Sequence, residues 1–192
     1  MTLIRSRRLT AGFLRLRRHL LAGMVAALAA VAVIAATGLA TAEPQQPQAP
    51  TQIAVTAKQI ESFIASVKEI SATIEKIESS SSGNPSPQQM ASLNAIAKKY
   101  GFKDFGEYED VADSISIVMG GIDPQTKQFT QPPEFLKKQI AQVQADKSVD
   151  PKERKELLQE LNEQLKMSVN VAHAGNITLV LKYYDKLEAA LQ

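Results

Sequence analysis

The chain has 192 residues, with 22 Lys+Arg, 20 Asp+Glu and no Cys. Its length suits one domain with extra segments. The lack of Cys excludes a disulfide frame, a thiol nucleophile and a thiolate metal site. Six arginines (Arg5, Arg7, Arg8, Arg15, Arg17 and Arg18) lie in the first 42 residues, which hold no acidic residue. The remainder carries 16 basic against 20 acidic residues, about −4 with His neutral. A basic surface for nucleic acid is therefore not expected.

The arginine-rich start is followed by an Ala/Val/Leu run, Leu20 to Ala36, and by Ala40-Thr41-Ala42. That order of charge, apolar run and small residues reads as a signal peptide over residues 1–42, cut after Ala42. The alternative is an uncleaved inner-membrane anchor facing the periplasm. Leu20 to Ala40 is 21 mostly apolar residues, enough to cross a ~30 Å hydrocarbon core. Arg17-Arg18 also permits a twin-arginine route. Either reading places the rest of the chain in the periplasm. Residues 43–52, EPQQPQAPTQ, form a Pro/Gln linker that disfavours helix. Residues 53–192 are expected to be a helical domain.

The first helix opens at a Thr56/Gln59 capping box. Ile60, Phe63, Val67, Ile70, Ile74 and Ile77 then recur at three- and four-residue steps. That seam suits either a dimerising coiled coil or one member of an intramolecular bundle, and its shortness favours the bundle. A flexible turn, residues 79–85, leads to Ser86-Pro87-Gln88-Gln89, a second start signal. Met90, Leu93, Ile96, Ala97 and Tyr100 give the second helix its inner face.

The centre of the domain is residues 100–121, YGFKDFGEYEDVADSISIVMGG, which hold four of the chain's ten aromatics. Gly101 can take the left-handed conformation that ends a helix. Asp104 and Glu107 form the next start signal. Phe105, Tyr108, Val111, Ala112, Ile115, Val118 and Met119 share one face up to Gly120-Gly121. Beyond a loop over residues 122–132, Pro133 opens a fourth helix with Phe135, Leu136, Ile140 and Val143 as its apolar positions. Asp150-Pro151-Lys152-Glu153 opens a fifth, faced by Leu157, Leu158, Leu161, Leu165 and Met167 or Val169. The short break between these two predicts an antiparallel pair. Asn176 caps a sixth helix, where Ile177, Val180, Tyr183, Tyr184, Leu187 and Leu191 point partly inward. One of the two tyrosines is expected to pack and the other to stay partly exposed. The fold class is thus all-α, a compact bundle of five to six helices.

Three stretches, GFKDFGEYEDVADSISIVMGGIDPQT, DKSVDPKERKELLQELNEQL and GNITLVLKYYDKL, resemble a group of small exported helical proteins of α-proteobacterial type. The resemblance spans roughly residues 91–187 and implies an all-helical periplasmic domain. It brings no established activity and no functional residue.

Few residues offer chemistry. Glu107, Glu109, Asp110 and Asp113 make an acidic cluster whose like charges offer one alternative, a cation site, but the calcium-loop pattern is missing and a solvated face is favoured. His173 has no second His or Cys to join it beyond the leader and reads as a helix-end or surface residue. Phe102, Phe105, Tyr108 and Met119 are candidates to line an apolar ligand pocket, although such residues at helical spacing usually build core. No catalytic residue, metal or cofactor is expected. The functional expectation is a non-catalytic periplasmic protein that binds a protein or cell-envelope component. The alternatives are a carrier of an apolar ligand or lipid and a carboxylate-based hydrolase. Monomer or weak homodimer is expected, with membrane contact only through an uncleaved leader. Mass spectrometry of the exported protein should find Glu43 at its N-terminus; an intact leader would contradict the cleavage.

Overall fold

A computed structural model describes residues 50–80 and 85–192. The leader, the linker up to residue 49 and the turn at 81–84 lie outside the described residues. Among those described the protein is an all-α bundle of six helices: α1 (Ala57–Ser80), α2 (Pro87–Lys99), α3 (Phe105–Gly120), α4 (Pro132–Ala145), α5 (Pro151–Met167) and α6 (Ala174–Ala190).

Most helices begin where their capping chemistry predicts. Thr56 Oγ1 accepts from Gln59 N at 3.2 Å, and Gln59 Oε1 accepts from Thr56 N at 2.9 Å. Ser86 and Gln89 repeat this reciprocal box at the start of α2. Asp150 accepts from Lys152 N and Glu153 N at the start of α5. Asp104 accepts from Glu107 N at 2.9 Å, but the Glu107 carboxylate returns to Lys103 N, one residue before the cap. α4 begins one residue earlier than expected, at Pro132, with no side-chain cap from Gln131.

The corner between α2 and α3 is a Schellman turn. Gly101 sits at φ 92°, Gly101 N donates to Lys98 O, and Phe102 N donates to Ala97 O. A residue with a Cβ would be strained there. Phe102 is thereby turned into the interior.

Helices α1, α2, α3 and α6 pack against one another around the main core. The α1 seam is consumed within the molecule: Ile60, Phe63, Val67, Ile70 and Ile77 are buried and Ile74 packs against them. The intramolecular bundle therefore holds over the coiled-coil dimer. Helices α4 and α5 pair with each other around a second cluster of Leu136, Val143 and Leu161. Here the expected face of α5 packs on α4 except at its Met167 end. Only Leu161 is buried, Leu157, Leu158 and Leu165 are partly covered, and Met167 is 54% exposed. Among the described helices α5 has α4 as its one neighbour, and Met167 lies beyond that contact.

Two further expectations change. Tyr183 and Tyr184 are both buried, at 8% and 7% exposure. The Tyr183 hydroxyl donates to Glu61 Oε1 at 2.6 Å, and Lys127 Nζ covers the Tyr184 ring at 3.7 Å from its centre. Each ring thus reaches a charged group at its rim, which lets both tyrosines pack. The N-cap position of α6 is His173, which makes no side-chain cap bond, and Asn176 lies in the first turn.

Asn176 has another task. Its side chain is buried, at 2% exposure, and clamps an extended strap, residues 51–55, that precedes α1. Asn176 Oδ1 accepts from Val55 N at 3.0 Å, and its Nδ2 donates to Ile53 O at 2.8 Å. From α3, Ser114 Oγ accepts from Ile53 N at 2.9 Å and donates to Asp110 O. Gln52 bonds to the backbone of Asn170 and Ala172, while a His173 ring nitrogen donates to Gln52 O at 3.1 Å. Side chains thus stand in for a neighbouring strand and satisfy the strap's buried backbone groups. Asn176→Ala would orphan Val55 N–H and Ile53 O. Urea unfolding should show a loss of about 1–3 kcal/mol, with faster amide exchange at Val55. An unchanged midpoint would contradict the clamp.

Candidate functional site

The strap crosses α3 beside its acidic face, and the two together bound an open groove of about 610 Å³. Its lining includes Thr51 of the strap, Lys103 and Asp104 of the corner, and Glu107, Glu109, Asp110 and Asp113 of α3. The acidic cluster is therefore more than a solvated face: Glu109, Asp110 and Asp113 are half-buried.

Two kinds of carboxylate line this groove. Asp104 and Glu107 are occupied structurally. Glu107 Oε2 accepts from Lys103 N at 2.6 Å, and its Oε1 accepts from Gln59 Nε2 at 2.9 Å, tying α3 to α1. Glu109, Asp110 and Asp113 make no ion pair among the described residues. Burial, with the nearby charges of Asp113 and Asp110 adding to it, pushes Glu109 up to about 7. Burial and Asp110 likewise raise Asp113 above its ordinary range. Both causes act in the same sense, because lost hydration and like charges each disfavour the ionised form. Among the described residues no group of three or more His, Cys, Asp and Glu is placed to hold a metal ion.

The aromatic candidates fall elsewhere. Phe102, Phe105 and Tyr108 are buried together, and a fourth ring from α1, Phe63, joins them. Tyr108 is the hub: it stacks on Phe63 at 5.5 Å and on Phe105 at 5.7 Å, and meets Phe102 edge-on at 5.5 Å. Burial raises the Tyr108 hydroxyl pKa well above its ordinary value. Met119 is not brought to this group. It lies eleven residues further along α3, about 16 Å by helical rise, and packs at the edge of the core. A ligand among the three rings would have to displace Phe63 or part the helices.

Tyr100, the remaining aromatic of the central stretch, turns outward. Its hydroxyl and the Lys99 ammonium each bond Glu69 Oε2 at 2.7 Å. These donors hold the Glu69 carboxyl below its usual range. His173 contacts the strap and stands apart from the groove's lining residues.

Sequence reasoning missed Thr51 as a groove residue and the half-burial of Glu109. Both follow from the strap lying on α3, a contact across 61 positions (Ile53 to Ser114) that no local pattern encodes. No helix among the described residues is long and apolar enough to cross a membrane. Comparison with family models, curated proteins and solved structures finds no match.

The Glu109 shift has a definite sign. Its folded pKa of about 7 lies above the ordinary 4.5, so the folded state holds this proton more tightly than the unfolded chain. The stabilising contribution is complete below pH 4.5 and is lost as pH rises through about 7. Asp113 contributes in the same direction. Melts of Glu109→Gln should lose this pH dependence and should exceed the parent at about pH 8, by about 2–4 °C for each kcal/mol recovered. A carboxyl NMR titration placing Glu109 near its ordinary value would contradict the assignment.

Proposed function

We propose that this is a non-catalytic, exported helical protein of the periplasm that works by binding a protein or cell-envelope component. The observation that supports the reading is the set of half-buried α3 carboxylates, Glu109, Asp110 and Asp113, lining an open groove without ion-pair partners among the described residues. Their mutual repulsion is relieved by a partner that brings positive charge. A basic segment of an envelope protein is the class of ligand this chemistry recognises. Such contacts set on-rate and specificity, and they weaken with salt.

One observation favours a second reading, a carboxylate-based hydrolase. A half-buried carboxyl held near 7 matches what a general acid needs at neutral pH. The groove is open to solvent, whereas two catalytic carboxylates must flank one bound substrate.

Titration of the chain from Glu43 onward with a fluorescent Lys/Arg-rich peptide tests the binding reading. The peptide should bind, lose affinity as salt rises, and bind about tenfold or more weakly to Asp110→Asn/Asp113→Asn. An Asp/Glu-rich peptide of equal length should not bind. Equal affinity of the parent and the double variant would reject the groove as the binding surface. Turnover of a glycoside or ester panel that disappears in Glu109→Gln would favour the second reading instead.

A further inference from the structure

The α4–α5 hairpin is joined to the four-helix body by two loops, residues 121–131 and 168–173. Its apolar cluster is its own, and among the described helices α5 packs only on α4 and α4 meets the body only at α3. Arg154 closes the free end of the hairpin by donating from Nη2 to Asp146 O and Val149 O, both at 2.9 Å. The hairpin is thus complete within itself. Loop contacts and the α3–α4 junction set its position.

The first loop is bent back on α6 and held there. Ile122 and Phe129 pair as an antiparallel bridge, and Thr130 N donates to Gly121 O at 2.8 Å. The approach is so close that a Cβ on Gly121 would lie 2.2 Å from Thr130 O. At the tip, Lys127 adopts φ 56°, a left-handed conformation uncommon for a residue with a Cβ. That geometry places its ammonium over the Tyr184 ring at 3.7 Å, with Asp185 Oδ1 at 3.0 Å and Glu188 Oε2 at 3.9 Å. The second loop is tied to the first where Val171 N donates to Gln131 Oε1 at 2.8 Å. An unfavourable backbone conformation thus persists where one cation meets a ring and two carboxylates. Contacts of that kind at a surface are weak and salt-screened.

We infer that the α4–α5 hairpin is a rigid arm hinged at these two loops and latched to α6 by Lys127. Opening the latch lets the arm swing without melting it, because its apolar cluster and Arg154 clasp move with it. Units with their own small core and few contacts to the rest are those that open first.

The chain has no Cys, so spin labels can be placed uniquely at Lys138→Cys on α4 and Lys68→Cys on α1, both exposed positions. At low salt the label-to-label distance should be single and narrow. Lys127→Ala should broaden it and add a second population, as should raised salt. Asp185→Asn/Glu188→Gln, which removes the latch from the α6 side, should do the same if the Lys127 variant folds poorly. Amide exchange should quicken about tenfold at Lys127 and Thr130 while α4 and α5 keep their protection. An unchanged distance distribution in both variants would overturn the latch. Loss of protection through α4 and α5 together with the loop would overturn the rigid arm.

Discussion

The four-helix body depends on one packing event, the seating of Tyr108 among Phe63, Phe102 and Phe105. Each ring arrives from a different piece of chain: α1, the glycine corner and the first turn of α3. Aromatic groups bury the largest areas in the core, and offset or edge-on pairs add to what burial alone supplies. The corner is what delivers them. Gly101 reverses α2 at φ 92°, Phe102 follows it inward, and Asp104 restarts the helix with Phe105 and Tyr108 already facing the core. If that corner fails, α3 loses its register against α1. The strap, the groove and α6 are all built on α3 or against it.

The positions of the helices were legible in the sequence because their signals are local. Thr56/Gln59, Ser86-Pro87/Gln89, Asp104 and Asp150-Pro151 each supply donors or acceptors to backbone groups within three residues. The apolar spacing of α1 and α3 also predicted their buried faces. Contacts between distant segments were not legible. Asn176 carries the side chain of a helix cap, yet it closes a buried strap about 120 residues upstream. Tyr183 and Tyr184 cannot share one helical face, but Glu61 and Lys127 give both a place. Leucine spacing in α5 implied a buried face; whether anything covers it depends on where the hairpin sits, which periodicity does not state.

The same limit explains the candidate site. Sequence spacing put Glu109, Asp110 and Asp113 on neighbouring positions of one helix, and a solvated face was the ordinary expectation. In the structure the strap crosses α3 beside them, and all three are half-buried. A carboxyl that would titrate near 4.5 is thereby raised to about 7. Ser114 and Asn176, two buried polar residues, hold in place the strap that bounds the groove. Phe102, Phe105 and Tyr108, the candidate pocket residues, are packed in the main core.

The most direct test of the aromatic hub is the stability of Phe63→Ala, measured by urea unfolding. Phe63 has no exposed surface and supplies the α1 half of the Tyr108 stack. Its truncation should cost about 3–5 kcal/mol, with far-UV and aromatic signals falling in one transition. A loss below about 1 kcal/mol, within the range of ordinary surface substitutions or little beyond it, would contradict the claim that these rings join the helices into one body.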